Sequence, residues 1–540
     1  MLCKRIYTLI LLAICPLPFL FAQQSRCQLQ TVEFISKDKT QVSALKRNIA
    51  DIQYDRIFFS KEELEQYLHD LYQSLQNTRL LKDISYSYST AGETEDGIEL
   101  IEARYEFSDS HSMIVFPKPS LDTNSGIEVK LKLKDNNFLG LMNDLNVDLN
   151  LNFGDKDEPD NYSKITTGFN FQYDYPFDIG ITENTWSNSL EFSWTIGDSS
   201  PEYDFQTGIT VAVPIGLHKV QFSVSQSVVK DLDYEKYGDD LYFAEEAGIS
   251  VPFFIGYIGN TTEITYTPSV NFTYNWDSDG IDSDNEDLVQ SPMVKFGQKI
   301  SLDNVNWSDG NNFRTGYAFS AAQYMGWDFH ADVLSEKLVP SVESNVQLFK
   351  GFKYVGFAIN VNAFAGINTN FKIGEYLRGA PDNQRFSSDY DVDEDNYALK
   401  TPGAIIFNFD MPVHIVTTHW LDWSYALFGS YDTKPRLVKA IAFLPHKIFK
   451  YADFELQASP FFDAGLIKNR GTGSNLSYKE GIYTGGLEVL VYPEKWKSFV
   501  VRASLGVDLS KKILNGRKGF DSSWRRGKAW EAYFGLGLQF

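Results

Sequence analysis

Few polar side chains in this sequence have the types and the spacing that catalysis requires. Gly197-Asp198-Ser199 looks like the start of a hydrolase nucleophile motif, but it lies in a turn between two strand-like segments. His414 and His419 are five residues apart, which is not a zinc-ligand spacing. No glycine-rich phosphate-binding loop is present in the sequence. These observations predict a protein that is not an enzyme and that uses no metal or other cofactor.

Acidic residues cluster in three runs between strand-like segments, at residues 154–160, 277–287 and 389–395. The second run begins Asp277-Ser-Asp-Gly and offers carboxylates to calcium, although its spacing is not that of an EF-hand. A solvated outer loop accounts for the same composition, so calcium binding stays open. The net charge of the 540 residues is -22, and no basic stripe is present to neutralise phosphates. We therefore expect no nucleic-acid partner.

The N-terminus has the organisation of a secretory signal peptide. Lys4 and Arg5 precede a long apolar run, and residues 1–22 are expected to be removed. Cys15 lies in a lax match to a lipoprotein site, so its lipidation stays open. Cleavage would leave Cys27 as the only cysteine, which excludes an intrachain disulfide.

Residues 28–107 are predicted to form a small α+β domain with the element order β-α-α-β-β. Ser60-Lys-Glu-Glu63 has the pattern of a capping box, and apolar residues follow it at helical spacing. Asp96-Gly97 predicts the turn of the closing hairpin.

From residue 112 to residue 540 the apolar residues recur with a period of two, which predicts β-strands. Many of these strands are about nine to thirteen residues long, as tilted strands crossing a membrane must be. Asn and Asp alternate with the apolar residues, which suits a wet lumen better than the dry core of a soluble sandwich. We therefore predict a transmembrane β-barrel, and we expect sixteen strands because bacterial barrels have even numbers.

The last stretch, Trp530 to Phe540, alternates strictly between apolar and small or polar residues. We expect the barrel to close where this strand meets the first one, predicted at Gly126 to Lys134 with Val129 and Leu131 facing outward. Gly535 and Gly537 remove side-chain packing from the last strand, so this seam is predicted to be weak.

Two further stretches of the sequence are informative when they are taken together with the small domain and the terminal strand. Tyr376-Leu377-Arg378-Gly379 lies in a long non-repetitive segment, and Phe461-Phe462-Asp463-Ala464-Gly465 ends a strand. Together with the terminal strand and the small domain, they resemble the outer-membrane protein assembly and secretion superfamily, also known as the bacterial surface antigen family. That superfamily includes the barrel subunits of the BAM and TAM assembly complexes and the two-partner secretion transporters.

The resemblance implies one periplasmic polypeptide-transport-associated (POTRA) domain followed by a sixteen-stranded barrel. It also implies that the loop after strand eleven enters the lumen, where Arg378 and Gly379 meet strand thirteen. The residues it implies on that strand are Phe461, Asp463 and Gly465. The terminal-strand pattern of the family maps to Gly535, Leu538 and Phe540.

By the same resemblance, the chain is expected in the outer membrane as an assembly factor that accepts substrate strands at its seam. Unfolded outer-membrane proteins, membrane lipids and periplasmic accessory proteins bound through residues 28–107 are the implied partners. Room for only one POTRA domain leaves the subfamily open, so secretion of a passenger through the lumen remains an alternative. A plain diffusion porin or surface adhesin is the alternative from outside the family.

Overall fold

The structure is a computed structural model. It describes residues 26–122, 126–153, 165–197, 199–216, 218–230, 241–276, 292–308, 310–329, 331, 333–379, 385–386, 400–436, 438–439, 442, 446–447, 451–468, 475–513, 525–526 and 530–538. The signal peptide with Cys15, the three acidic runs, Asp198 and Phe540 lie outside the described residues.

The N-terminal part is a small α+β domain. Its strands are β1 (Cys27–Ser36), β2 (Ile57–Phe58), β3 (Leu81–Glu93) and β4 (Glu99–Asp109), and its helices are Val42–Arg47 and Lys61–Asn77. The sheet order is β2-β1-β4-β3, with β1 parallel to β4. The long helix packs Leu64, Tyr67, Leu68, Leu71 and Leu75 against the sheet.

The predicted capping residue begins the long helix. The Ser60 hydroxyl accepts a hydrogen bond from the backbone N–H of Glu63 at 3.2 Å. The Glu63 carboxylate accepts from the N–H of Phe59 at 2.9 Å, one residue before the position that a reciprocal capping box would use. The sequence prediction lacked only the two-residue edge strand β2, which is too short to show a period of two.

A closed antiparallel barrel follows the small domain. The segments before the long loop are β5 (Met113–Asp122), β6 (Gly126–Asp135), β7 (Leu145–Phe153), β8 (Ile165–Ile179), β9 (Thr182–Thr195), β10 (Glu202–Ile215), β11 (His218–Lys230), β12 (Leu241–Ser250), β13 (Phe253–Ile258), β14 (Thr262–Trp276), β15 (Met293–Trp307), β16 (Arg314–Asp328), β17 (Leu338–Gly351) and β18 (Gly356–Gly366). The segments after it are β22 (Gly403–Asp410), β23 (Val413–Thr417), β24 (Phe454–Ile467), β25 (Ile482–Pro493), β26 (Val501–Asp508) and β28 (Trp530–Leu536). Four two-residue strands lie outside the barrel sheet: β19 (Phe371–Lys372), β20 (Arg385–Phe386), β21 (Lys400–Thr401) and β27 (Arg525–Arg526).

The expected number of sixteen strands is wrong. Twenty segments close the barrel, but β12 and β13 both pair with β14, and β22 and β23 both pair with β24. Each of these two couples is one strand interrupted next to a proline, Pro252 or Pro412, which cannot donate to the ladder. The described residues therefore make eighteen crossings of the barrel wall.

The predicted first strand is also wrong. Val129 and Leu131 lie in β6, whereas the strand beside β28 at the closure is β5. The reason is that β5 contains Pro117 and Pro119, and proline weakens the pattern of a regular strand in the sequence. In the structure β5 pairs with β6 along its whole length, from Met113 opposite Asp135 to Asp122 opposite Gly126.

The two faces of the barrel differ as a membrane-spanning wall requires. Apolar side chains on the outer face are exposed, among them Val129, Leu131, Leu151, Phe222, Phe272 and Leu348. Polar side chains on the inner face are buried, among them Asp148, Asn360, Asn408, Gln457, Thr484 and Glu488. A closed barrel with an apolar exterior and a polar interior has the form of an outer-membrane protein. No helix in the described part of the chain is long and apolar enough to span a membrane.

The crossings place the long loop 367–402 at the end opposite the small domain. Thirteen crossings precede this loop in the described chain. Because the chain enters the barrel at the end near the small domain, an odd number of crossings brings it to the opposite end. Residues 341–349 lie within β17, which is one of these thirteen crossings. The crossing that the sequence analysis overlooked is β5.

The small domain is held against the near end of the barrel, and Arg79 is central to that contact. Its guanidinium lies 4.0 Å from the ring centre of Trp307 and donates to Asn312 Oδ1 at 3.0 Å. Its Nε also donates to the carbonyl oxygen of Lys497. Burial lowers the pKa of Arg79 to about 10, so the side chain remains charged at neutral pH.

Arg79→Ala is expected to loosen this junction while the barrel stays folded. A desolvated cation–π contact together with charge-assisted hydrogen bonds is worth about 2–3 kcal/mol, so hydrogen exchange of the turn after Trp307 should accelerate about 30-fold or more. The matched control is Arg47→Ala, because Arg47 joins the domain to Asp178 through a more exposed pair worth only about 0–1 kcal/mol. Equal exchange rates in the two variants would show that Arg79 does not hold the junction.

Candidate functional site

Part of the long loop that follows β18 folds back into the lumen and packs there. Residues Gly374–Tyr376 form one turn of 3-10 helix. Ile373 and Leu377, on either side of that turn, are fully buried in an apolar cluster on the inner wall. The other buried members of the cluster are Ala404, Ile406, Ile467 and Ile482. This apolar contact anchors the loop immediately before Arg378.

The predicted contact between Arg378 and Asp463 is present. Arg378 Nε donates to Asp463 Oδ2 at 3.0 Å and Nη2 donates to Oδ1 at 2.7 Å, which is the bidentate geometry. The backbone N–H of Arg378 also donates to Oδ2, at 3.1 Å. Asp463 is completely buried, so the pair is shielded from water.

The neighbours of Asp463 on β24 each accommodate the loop. The guanidinium carbon of Arg378 lies 3.9 Å from the ring centre of Phe461, so the ring packs under the cation. A Cβ at Gly465 would lie 3.1 Å from Leu377 Cδ1, so the absent side chain leaves room for the loop. The sequence Phe461-x-Asp463-x-Gly465 thus presents three inward positions of one strand, and all three contact the loop.

Two further carboxylates complete the site, and sequence analysis missed both. Arg378 Nη1 donates to Asp410 Oδ1 at 2.6 Å, and the same nitrogen lies 3.3 Å from Glu488 Oε1. Burial disfavours the charged guanidinium, but the hydrogen bonds to Asp463 and the surrounding negative charge outweigh it. The pKa of Arg378 is therefore raised above its ordinary value. A second cation, Arg502, lies 3.4 Å from Glu488.

Gly379 joins this cluster to the last strand. Its backbone N–H donates to Glu531 Oε2 on β28 at 2.8 Å. Its φ is +83°, and an added Cβ would lie 2.6 Å from the backbone of Gly506 and Val507. Only glycine fits at this position, because both the dihedral angle and the close approach of β26 exclude a side chain. The loop tip therefore contacts all of the last five crossings of the described chain, from the interrupted strand β22/β23 to β28.

The predicted terminal-strand residues lie as follows. Gly535 is buried and pairs with Arg502 of β26. Leu538 packs against the apolar cluster of Leu490, Tyr492 and Val500. Across the closure, the ring centres of Phe116 and Phe534 are 5.9 Å apart. Val129 and Leu131 are exposed on the outer face of the second strand and take no part in this closure.

The histidines that sequence analysis considered do not form a metal site. His414 Nδ1 lies 3.0 Å from Glu455 Oε1 inside the barrel, whereas His419 immediately precedes a helix on the outside and is exposed. Within the described ranges, no group of three or more His, Cys, Asp or Glu side chains is placed to hold a metal.

Gly379→Ala is expected to displace the loop tip from the cluster. A left-handed φ costs an alanine about 1–2 kcal/mol, and contact with the backbone of β26 adds a steric cost. Hydrogen exchange at residues 374–379 should therefore accelerate by at least about ten-fold. Gly310→Ala is the matched control, since Gly310 also has φ +83° but has nothing within 4 Å of its Cβ position. Unchanged exchange at 374–379 in Gly379→Ala would contradict this prediction.

Comparisons with known proteins found proteins of similar structure but none of similar sequence. No protein-family model and no curated protein matches the sequence. Among solved structures, CdiB from Acinetobacter baumannii is 11% identical with a TM-score of 0.44, covering 94% of this chain and 73% of that one. CdiB from Escherichia coli is 8% identical with a TM-score of 0.39, covering 97% and 92%. BamA from Haemophilus ducreyi lacking POTRA domains 1–3 is 10% identical with a TM-score of 0.36, covering 94% and 84%.

Proposed function

We propose that this chain is a member of the outer-membrane protein assembly and secretion superfamily and acts as an assembly factor. In this role it accepts strands of unfolded outer-membrane proteins at the seam between β5 and β28 and guides them into the membrane. The process requires no bond-breaking chemistry, because backbone hydrogen bonds exchanged between strands supply the free energy.

The observation that carries the proposal is the connection between the lumen loop and the last strand. Arg378 fixes the loop to β24, and the next residue, Gly379, donates to Glu531 on β28. A plain porin needs no loop that joins the inner wall to the closing strand. A protein whose seam opens does need one, because something other than the seam must hold β28 in place while its outer edge is unpaired.

One strand of the seam contains prolines and the other is short, and both features support the proposal. Pro117 and Pro119 remove two backbone donors from β5, and β28 is only seven residues long among the described residues. By contrast, β16 pairs with β17 continuously from Gly316 to Trp327. Because every unpaired backbone group in lipid is costly, a short seam with missing donors is where an incoming strand gains most by adding its own pairing. This is recognition by β-augmentation.

The small domain supplies a second surface for this role. Residues 28–107 are proposed as a POTRA domain that receives substrates or accessory proteins on the periplasmic side. The contact of Arg79 with Trp307 and Asn312, which joins the domain to one end of the barrel wall, supports this role. The described residues make eighteen crossings where the family resemblance implies sixteen. The additional pair precedes the lumen loop, so the C-terminal crossings that carry the site keep their relative order.

Depletion of the protein followed by quantitative proteomics of the outer membrane tests the proposal. Loss of many different barrel proteins is the expected result. Loss of a single secreted passenger would instead support secretion, and a defect confined to solute uptake would support a porin. Complementation with Arg378→Ala should fail, whereas complementation with Lys479→Ala, which removes an exposed cation in another loop, should succeed.

A further inference from the structure

The segment between β23 and β24 is unlike the other connections at the small-domain end of the barrel. The neighbouring connections there are short turns, such as Ile179 to Thr182, whereas this one extends from residue 418 to residue 453. It contains the helix Trp420–Phe428, whose first backbone N–H donates to Asp453 Oδ1 at 2.7 Å. The helix therefore starts directly at the rim of the barrel wall.

The helix has one apolar face, and the residues at its C-terminal end are largely exposed in the described protein. At 100° per residue, Trp420, Trp423, Leu427 and Phe428 share one side, and Asp422 lies opposite them. Leu427 is 77% exposed and Phe428 is 71% exposed, values higher than those of most lipid-facing side chains of the barrel. Ser424, on the same side, satisfies its hydroxyl by donating to the carbonyl of Leu421 at 2.7 Å. An apolar face of this kind needs an apolar environment outside the protein.

The chain after the helix is basic in an otherwise acidic protein. Residues 433–450 contain five Lys or Arg residues and no Asp or Glu, against a net charge of -22 for the whole sequence. Arg436 and Lys447 are exposed. Stacking of Tyr431 on His446, with ring centres 4.1 Å apart, folds this part of the chain back on itself. The positive charge is thereby held close to the end of the apolar helix.

The adjacent turn continues the same surface along the rim. Phe352 and Tyr354, in the turn between β17 and β18, are both more than half exposed. The turn is joined to β23, since the backbone N–H of His414 donates to the carbonyl of Tyr354 at 2.9 Å. Lys353 lies over the ring of Tyr354 at 5.1 Å. Aromatic and basic side chains therefore lie beside β23, the strand that leads into the helix, as at a membrane interface.

We propose that the helix Trp420–Phe428, together with the exposed Arg436 and Lys447, forms an interfacial anchor that lies in the periplasmic leaflet and binds anionic phospholipid headgroups. The apolar face of the helix enters the acyl boundary, and the basic residues meet the headgroups. The occupant is lipid because the apolar face continues the lipid-facing wall and because the charge is complementary to an anionic leaflet. The inference needs only that the barrel spans the membrane, so it stands or fails separately from the proposed assembly function.

Depth-dependent fluorescence quenching tests the anchor in the full protein. The native cysteines are replaced, a single cysteine is introduced as Leu427→Cys or Asp422→Cys, and each is labelled with an environment-sensitive dye. The proteins are reconstituted in nanodiscs of phosphatidylcholine and phosphatidylglycerol carrying brominated acyl chains. We expect strong quenching at position 427 and little at position 422. Weak quenching of equal size at positions 427 and 422 would overturn the proposal. A label at position 427 that is immobilised but not quenched would also overturn it, because protein and not lipid would then cover the apolar face.

The electrostatic part has its own readout. With bromine placed on either lipid in turn, quenching at position 427 should be greater from phosphatidylglycerol than from phosphatidylcholine. Each basic side chain near an anionic surface changes binding about five-fold, so Arg436→Gln with Lys447→Gln should remove most of this preference while leaving quenching itself intact. A preference that is absent in the native protein, or unchanged in the double variant, would overturn headgroup binding.

Discussion

Protein carrying Arg378→Ala is expected to lose its lumen loop from the inner wall and most of its assembly activity. The substitution leaves Asp410, Asp463 and Glu488 buried together without their shared cation. Removing one partner of a buried charge cluster costs about 3–5 kcal/mol. Hydrogen exchange at residues 374–379 should therefore accelerate by roughly two to three orders of magnitude. The heat stability of the barrel is measured in parallel, as the temperature above which the protein no longer migrates on a gel as the folded form.

Two companion variants separate charge from geometry. Arg378→Lys keeps the positive charge but cannot form the two parallel bonds to Asp463, so we expect an intermediate loss. A double-mutant cycle with Asp463→Ala should give a coupling energy of about 2 kcal/mol or more, because the residues are in direct contact. If the loop in Arg378→Ala exchanges as slowly as in the native protein, the apolar cluster alone holds it and the charge cluster has another purpose.

Oxidation of a protein with Phe116→Cys and Phe534→Cys is expected to abolish assembly activity, and reduction should restore it. The two rings face each other across the seam with centres 5.9 Å apart, so cysteines there are placed to bond when the strands pair. Cys27 is replaced first to remove the competing thiol. An assembly factor that opens this seam cannot act while it is locked, whereas a porin or a passenger transporter uses the lumen and should be indifferent.

A disulfide elsewhere in the wall controls for the effect of cross-linking as such. Leu348 of β17 and Ile359 of β18 are paired in the register of an ordinary interior strand pair. Cysteines at these positions should leave activity unchanged when oxidised. Full assembly activity with the bond at the seam shown to be complete would overturn the opening of the seam.

The parts of the fold that could be predicted from sequence are those that depend on one strand at a time. Strict alternation reveals a strand and its two faces, so the barrel follows directly. The contact of Asp463 with the lumen loop was expected from the family resemblance. The failure at β5 has a specific cause. Pro117 and Pro119 disturb the pattern of a regular strand in the sequence, yet proline is tolerated at an edge. A proline-containing first strand therefore indicates an edge of the barrel sheet, where the seam lies.

Contacts between distant strands could not be predicted in this way. Asp410, Glu488 and Glu531 come from three different crossings, and they meet Arg378 and Gly379 only in one particular register. The sequence does not state that register, because a slip of one residue reverses every side chain. The helix Trp420–Phe428 was missed for a different reason, since its nine residues are mostly apolar and have no clear period at that length.

The order in which the chain is made bears on the charge cluster. Arg378 precedes its partners by 32 residues at Asp410 and by 85 at Asp463, and Gly379 precedes Glu531 by 152. Contacts at such separation form late, since each must close a long loop before it contributes. A newly threaded barrel therefore passes through a stage in which its wall is largely present but its loop is not yet bound. The arrival of the final strand brings Glu531 to Gly379, so the last contact of the loop forms when the barrel is completed.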